Sequence, residues 1–514
     1  MSPLTGPGGN GTAPGLLRRF RNRFIGDRRF YRTLVSVALP IVIQNGVSNF
    51  VSLLDNVMVG RLSTESMSGV SIVNQFLFVF YLAVFGALSG PGIYTAQFHG
   101  AKNEDGVRKS FILKLYIGLG ATAASLIAFS CFGEQFIQLF LHDGSLSGDL
   151  ALTLTEGKAY LSVILWGLVP YVLSMALAST LRETGRTLPP MVASVAAVGT
   201  NLLLNWILIF GMFGIPALGV VGAALATVIS RVVELTILVV WVACHRRECV
   251  FATKIFRNLR IGRKLAGIML VKSVPLLVNE SMYALSLTVI SQCYSTRGLD
   301  VVAAQNIAST LSMLLNVVFI SVGTSVSIIV GGLLGAGKLE EAKVASRRLI
   351  FCSALCAVFT MGLMAASAPF FPLLYNTTDD VRRLATYFLF VSACILPSQA
   401  VCNAAYFTLR SGGRILWTVL SDSGVMWSCS VSVTAILCYG TGLDIHVLYP
   451  ICQATNLCKA ATGLILLHVL HWARKIVDEE PAKPAKPGTL DGSREPGELT
   501  DPESVRDTDS GPNA

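Results

Sequence analysis

Charged side chains are scarce in this sequence. Asp, Glu, Lys and Arg together make up 14% of the 514 residues, whereas soluble globular domains carry about 25%. The mean hydropathy is +0.62, and apolar runs of about 20 residues, the length that crosses a bilayer as a helix, recur along nearly the whole chain. This composition excludes a soluble protein. Because the runs are continuously apolar and do not alternate, it also excludes a transmembrane β-barrel.

The sequence also lacks the residue groups of enzymes and metal sites. Its 12 cysteines are scattered without a Cys-x-x-Cys pair, and its six histidines lie at the ends of apolar runs or between them. No nucleophile motif and no phosphate-binding glycine loop with a lysine is present. We therefore expect no enzymatic activity, no cofactor and no metal site, and we interpret the cysteines as small packing residues.

The apolar runs predict an all-α integral membrane protein with twelve transmembrane helices. The predicted spans are 33–58, 67–92, 111–132, 159–181, 188–211, 218–243, 267–293, 302–331, 349–371, 384–408, 416–440 and 445–471.

Lysine and arginine concentrate in alternate connections, which predicts the orientation. The basic connections follow spans 2, 4, 6, 8 and 10, and the one at 246–264 is the richest. The opposite connections carry few basic residues, namely Arg61, Lys158, Arg297, Arg382 and Arg383. We therefore expect a multi-pass protein of the plasma (inner) membrane with both termini cytoplasmic. The net charge of +10 then reflects topology and gives no reason to expect a nucleic-acid partner.

Two motifs occur twice at corresponding places. Thr-Leu-Arg-x-x-Gly-Arg stands at 180–186 and again at 408–414, and the spacing of Pro40 and Gly100 is repeated by Pro275 and Gly335. Six spans per repeat is an even number, so both halves enter the membrane in the same sense. The pattern predicts two six-helix lobes related by a parallel repeat, with room for a cavity between them.

These patterns predict five segments. They are a basic cytoplasmic N-terminal segment at 1–32, an N-lobe at 33–245, a cytoplasmic linker at 246–266, a C-lobe at 267–472, and a disordered acidic cytoplasmic tail at 473–514.

Four acidic residues fall well within spans, where charge is costly and needs a reason. Asp55 has no basic residue within reach in its own span apart from one at the span boundary, so it could bind and release a coupling cation or proton. Glu280 lies mid-span and could likewise bind and release a coupling cation or proton. Glu234 can pair with Arg231 one turn before it. Asp422 lies early in span 11 and either faces a cavity or only caps its helix or forms a hydrogen bond there.

Amide side chains cluster in the first half of the chain. Asn201 and Asn205 are four residues apart and share a helix face. Such faces either bond across helices or line a wet cavity. We predict Asp55 and Glu280 as cation-coupling residues. The candidate cavity-lining residues are Gln44, Asn45, Asn74, Asn201, Asn205, Tyr283 and Asp422.

The chain resembles the multidrug and toxic compound extrusion (MATE) transporters over nearly its whole length. The matching segments are Leu39-Pro40, 55–60, 100–103, 180–185, 214–227 and 408–413. The resemblance implies an antiporter that exports cationic or amphipathic organic compounds in exchange for H⁺ or Na⁺ by alternating access. It places Asp55 at the family's first-span acid and likens Glu280 to a seventh-span acid of bacterial members.

The chain departs from one branch of that family in span 5. There an Asn and an Asp, four apart, accompany the first-span acid, whereas this chain has Asn201 and Asn205. The departure leaves H⁺ and Na⁺ both open as coupling ions.

A second reading is a flippase for lipids or lipid-linked oligosaccharides, which can share a two-lobe helical design. Such a protein usually needs basic residues in its lumen, and here few basic residues are embedded: Lys114, Arg231 and Lys272. We therefore favour a small organic substrate, with the lipid bilayer as the other partner and a monomeric carrier.

Overall fold

The computed structural model describes residues 24–138, 150–212, 214–253, 260–375 and 377–479, and these residues form helices and connections without a strand. Twelve long helices follow one another: α1 Arg28–Val59, α2 Thr64–Gly100, α3 Glu104–Gln138, α4 Leu150–Glu183, α5 Leu188–Phe210, α6 Gly219–Cys244, α7 Arg263–Ser295, α8 Leu299–Gly335, α9 Leu339–Ser367, α10 Asp379–Ser411, α11 Ile415–Gly440 and α12 Ile445–Val469. Single turns stand at Val250–Thr253, Phe371–Leu374 and Ile476–Glu479.

The twelve helices occupy the twelve predicted positions, which confirms the all-α membrane fold. Among the described residues, eleven helices are long and apolar enough to cross a membrane, and α12 falls outside that set. The 25-residue α12 includes Gln453, Asn456 and Lys459, which lower its hydropathy. It packs against α10 and α11.

The internal repeat is visible in the backbone of the connecting turns. Gly185 and Gly413, the glycines of the repeated Thr-Leu-Arg-x-x-Gly-Arg motif, have φ of +79° and +72°. The turn after α2 has Lys102 at φ +55°, and the corresponding turn after α8 has Gly337 at φ +76°. Left-handed backbone is cheap for glycine and uncommon for lysine. The two halves therefore share their turn geometry, with glycine in both halves at Gly185 and Gly413 and with a lysine in place of glycine at Lys102.

We call the end of the bundle that carries these turns the basic end. There α2 and α8 cross with their backbones in direct contact: a Cβ atom on Gly100 would overlap the carbonyl oxygen of Gly332, and one on Gly335 would overlap that of Gln97. Small residues let membrane helices approach this closely. The repeated glycines of the sequence thus close the basic end between the two halves.

Gly335→Ala should weaken this crossing, while Gly332→Ala, one turn earlier on the same helix, should not. Within the described ranges, a methyl group at Gly332 would meet no atom within 4 Å outside its own stretch of helix. We expect Gly335→Ala to lower the free energy of unfolding by about 1–3 kcal/mol, the usual cost of overpacking, measured by denaturant titration in detergent. Equal stability of the two variants would mean that the crossing is loose.

The chain after α12 folds back under the same end. The buried Gln97 of α2 donates through Nε2 to the carbonyl oxygens of Ser411, at 3.0 Å, and Arg474, at 3.2 Å, and its Oε1 accepts from the amide of Ile476 at 2.9 Å. Ile476 and Val477 are buried. Residues 474–477, which the sequence assigned to the disordered tail, therefore pack against helices of both halves.

Other predicted segments lie outside the described residues. These are residues 1–23 of the N-terminal segment, 254–259 of the linker and 480–514 of the tail. The first of the two compact units of the chain ends at Val477.

Candidate functional site

The first cluster of buried polar side chains, which we call the Asp55 cluster, joins α1, α5 and α6. Asn205 Nδ2 donates to Asp55 Oδ1 at 2.6 Å and to Asn201 Oδ1 at 3.2 Å. Asn201 Nδ2 lies 3.3 Å from Thr227 Oγ1. With its amide in the opposite orientation, which the network favours, Asn201 donates to both carboxylate oxygens of Asp55 at 3.0 Å. The predicted residues Asp55, Asn201 and Asn205 are thus brought together.

Close packing of α5 and α6 builds this cluster. A Cβ on Gly222 would lie 2.6 Å from the carbonyl oxygen of Leu208, so only glycine allows the two helices to meet there. Asn201 and Asn205 are both buried, and α1 packs against their helix.

The partners of Asp55 in this cluster are neutral. Arg231, one turn beyond Thr227 on α6, donates to Glu234 at 3.0 Å as the sequence predicted. The carboxylate of Asp55 therefore accepts from amide donors, and the buried Oδ1 of Asn205 beside it has no hydrogen-bond partner among the described residues. An acid next to an unsatisfied oxygen is suited to a proton or a small cation.

The second cluster joins α7, α11 and α12 around an ion pair. Lys459 Nζ lies 2.5 Å from Asp422 Oδ1 and 5.2 Å from the centre of the Tyr283 ring. Asn279 Nδ2 donates to the other carboxylate oxygen of Asp422 at 2.9 Å. Asp422 stands in the stretch Leu420–Gly424, where α11 widens into a π-helix, a feature that often marks functional positions.

Glu280 lies beside this ion pair on α7. Its Oε1 accepts from the hydroxyl of Tyr406, on α10, at 3.0 Å. On the other side, α2 comes close through Gly86, where a Cβ would lie 2.8 Å from Leu277 Cα. Glu280, Tyr283 and Asp422, three predicted residues, thus share one polar region, which we call the Glu280 cluster together with Asn279, Tyr406 and Lys459.

Sequence reasoning missed Lys459. The hydropathy of α12 does not reveal which of its polar side chains turn inward. Here Lys459 is 7% exposed. The carboxylate of Asp422, for which the sequence left a cap or a hydrogen bond open, is bound by Asn279 and Lys459 on other helices.

The remaining predicted cavity residues bond across helices, apart from both clusters. Gln44 accepts from Arg182 at 3.3 Å, Asn45 donates to Ser321 at 3.1 Å, and Asn74 accepts from Tyr160 at 3.4 Å.

A buried ion pair joins α3 to α4 near the basic end, and the sequence did not indicate it. Lys114 donates to Glu183, to Ser179 Oγ at 3.0 Å and to Thr180 Oγ1 at 3.1 Å. The Lys114 side chain is 0% exposed and that of Glu183 19%. Burial at this depth is tolerated because three side-chain oxygens accept hydrogen bonds from the ammonium, one of them a carboxylate oxygen.

The two clusters therefore differ in charge. The Asp55 cluster has an acid held by neutral groups, whereas the Glu280 cluster contains its own cation, Lys459. An external cation can add to the first without displacing a basic side chain.

Comparison with known proteins shows the same organisation. The model of the MatE family matches the chain twice, over residues 40–207 and 275–439. The probable multidrug resistance protein YoeA of Bacillus subtilis is 25% identical over 83% of this chain and 92% of its own length. The probable multidrug resistance protein NorM of Pasteurella multocida is 27% identical over 74% of this chain and 80% of its own length.

Solved structures share the fold. A multidrug resistance MATE family transporter of the MOP superfamily in an outward-facing conformation superposes with a TM-score of 0.78 at 19% identity, covering 87% of this chain and 96% of that one. The two copies of the family match agree with the parallel repeat that the motifs predicted.

Proposed function

Because the chain belongs to the MatE family, we propose that it is a secondary antiporter that exports cationic or amphipathic organic compounds in exchange for H⁺ or Na⁺. Its relatives are named as multidrug resistance proteins, which supports a small-molecule substrate. We place it in the plasma membrane as a monomer with the basic end and both termini in the cytoplasm.

The single observation that carries this proposal is the environment of Asp55. A carboxylate in a membrane span, held by Asn201 and Asn205 and lacking a basic partner within its cluster, is costly unless it serves to bind a cation or proton. The substrate or Na⁺ is held while Asp55 is ionised, and protonation from outside weakens that hold.

Alternating access then follows from the repeat. The two lobes rock about the polar region between them, and the crossing of α2 and α8 at Gly100 and Gly335 closes the cytoplasmic side while the substrate leaves. The pair of Asp422 and Lys459 stays intact through the cycle and fixes the geometry of the Glu280 cluster.

The test is ethidium uptake into everted membrane vesicles, driven separately by an acidic lumen and by high luminal sodium. Vesicles without the protein give the background. Uptake that follows the proton gradient identifies H⁺ as the coupling ion, and uptake that follows sodium gives Asp55 the role of a sodium ligand. Failure under both gradients with several organic cations would refute drug export and favour the flippase.

Glu280→Gln should alter drug binding without unfolding the protein. The amide keeps the size of the side chain and can still accept from Tyr406, but it removes the negative charge of the cluster. We expect the dissociation constant for ethidium, measured by fluorescence polarisation, to rise roughly tenfold, which corresponds to one charge-assisted contact of about 1.4 kcal/mol.

The matched control is Tyr406→Phe, which removes the hydrogen bond at 3.0 Å and keeps the acid. It should affect binding less than Glu280→Gln. Unchanged affinity and transport in Glu280→Gln would reduce Glu280 to a packing residue.

A further inference from the structure

A cavity lies near the basic end, between α2 and α4 of the first half and α8 and α10 of the second. Its volume is about 60 Å³, which is room for two water molecules or one carboxyl group. The polar residues of its lining are Ser89, Ser179, Arg182, Glu183, Thr324, Ser327 and Arg410.

Arg410 is the unsatisfied group in this lining. It is 6% exposed, and its Nε and Nη1 are buried without a hydrogen-bond partner in the part of the chain that the structure describes. The rings of Phe85, Tyr406 and Phe407 lie 5.5, 5.9 and 5.4 Å from its Cζ. Ring faces attract the positive charge of the guanidinium, but they do not replace hydrogen-bond acceptors for its N–H groups. A buried donor without an acceptor is costly, so this guanidinium is poised for an acceptor that enters the cavity.

The charges around the cavity favour an anion. Arg182, the counterpart of Arg410 in the repeated motif, lines the same cavity and donates to Gln44 Oε1 at 3.3 Å. The acid of the lining, Glu183, is neutralised by Lys114. Two arginines remain beside one compensated acid, which disfavours a cationic group at this place.

We propose that Arg410, with Arg182 beside it, binds the carboxylate group of an organic compound, and so selects acidic or zwitterionic organic molecules for export. The fork of a guanidinium matches the two oxygens of a carboxylate, and the cavity has the size of that group. Glu183 in the lining, and Glu280 bonded to Tyr406, disfavour a doubly charged phosphate. The selective role rests on the proposed export function, whereas the binding does not.

This site is separate from the Asp55 cluster. Gln44, the partner of Arg182, precedes Asp55 on α1 by a distance of about 16 Å at 1.5 Å per residue. Substitutions at Arg410 should therefore leave the coupling chemistry at Asp55 intact, and the two sites can be tested independently.

The binding test uses purified protein in detergent with benzoate and with benzamide, its uncharged analogue. Benzoate should raise the unfolding temperature of the wild type and of Arg186→Gln, whereas benzamide should not. Arg186 belongs to the same motif but pairs with Glu248 at an exposed site. In Arg410→Gln the benzoate effect should vanish. Equal effects of the two probes on the wild type, or an undiminished benzoate effect in Arg410→Gln, would overturn the proposal.

The transport test uses a matched pair of dyes, rhodamine 110 with a free carboxylate and rhodamine 123, its methyl ester. Arg410→Gln should reduce export of the acid roughly tenfold to a hundredfold, as expected for a lost charge-assisted hydrogen bond, and change export of the ester by less than about twofold. Equal losses for both dyes would show that Arg410 is structural.

Failure of the export function and failure of the carboxylate site would give different results. If the wild type exports neither dye but binds benzoate through Arg410, the export function fails and the carboxylate site stands. If Arg410→Gln does not fold, Arg410→Lys keeps the charge without the fork, and it should bind benzoate more weakly than the wild type. If Arg410→Lys bound benzoate as tightly as the wild type, the role of the forked guanidinium group would be refuted.

Discussion

Asp55→Asn abolishes ion-driven export while the protein remains folded. Asparagine keeps the shape of the side chain and can still accept from Asn205, whose Nδ2 lies 2.6 Å from Asp55 Oδ1, so the helix contacts survive. What is lost is the ionisable group, and with it the site for a proton or Na⁺. Ethidium uptake into everted vesicles should fall at least about tenfold, the equivalent of one charge-assisted contact.

The variant also loses its dependence on pH. In the wild type, uptake should rise as the vesicle lumen is acidified, because protonation of Asp55 from that side releases the substrate. In Asp55→Asn the residual uptake should be the same at every luminal pH. The control is Asp300→Asn, which changes an exposed acid in the first turn of α8 and should behave like the wild type. Transport by Asp55→Asn at the wild-type rate with unchanged pH dependence would remove Asp55 from the mechanism.

Lys114→Met destabilises the protein by about 3–5 kcal/mol, the usual consequence of breaking a buried ion pair. The substitution leaves the carboxylate of Glu183 without its ammonium and removes the donor to Ser179 and Thr180. The free energy of unfolding, measured by denaturant titration in detergent, is the appropriate measurement. Glu183→Gln should also destabilise, since Lys114 is 0% exposed and would keep an uncompensated charge.

The chain supplies a matched control, because a second ion pair joins the same two helices. Lys158 lies 2.6 Å from Glu134, with side chains 49% and 45% exposed. Lys158→Met should cost less than about 1 kcal/mol, as exposed pairs usually do. The double variant Lys114→Met/Glu183→Gln should be more stable than Lys114→Met alone, which isolates the coupling between the two residues. If Lys114→Met and Lys158→Met lowered the free energy of unfolding equally, burial would not explain the contribution of the Lys114–Glu183 pair to stability.

The sequence indicated contacts between residues close together on one helix, but it did not indicate contacts between residues on different helices. Asn201 and Asn205 were placed on one helix face from their spacing alone, and the structure brings both to Asp55. Arg231 and Glu234, three residues apart, pair as the sequence indicated. In contrast, the cation of Asp422 comes from Lys459 on the next helix, and no local pattern indicates which side chains of that helix turn inward.

The sequence by itself determined the number and order of the helices, the repeat and the buried acids, because a helix that crosses a bilayer satisfies its backbone internally and needs only a sufficient apolar length. The tertiary structure alone decided how those helices are rotated and which distant residues meet. Lys114 reaches Glu183, Asn279 reaches Asp422, and Arg410 is enclosed by aromatic rings with two nitrogens unpaired. These contacts depend on close packing between helices at glycines such as Gly335, and hydropathy along a single chain does not encode that packing.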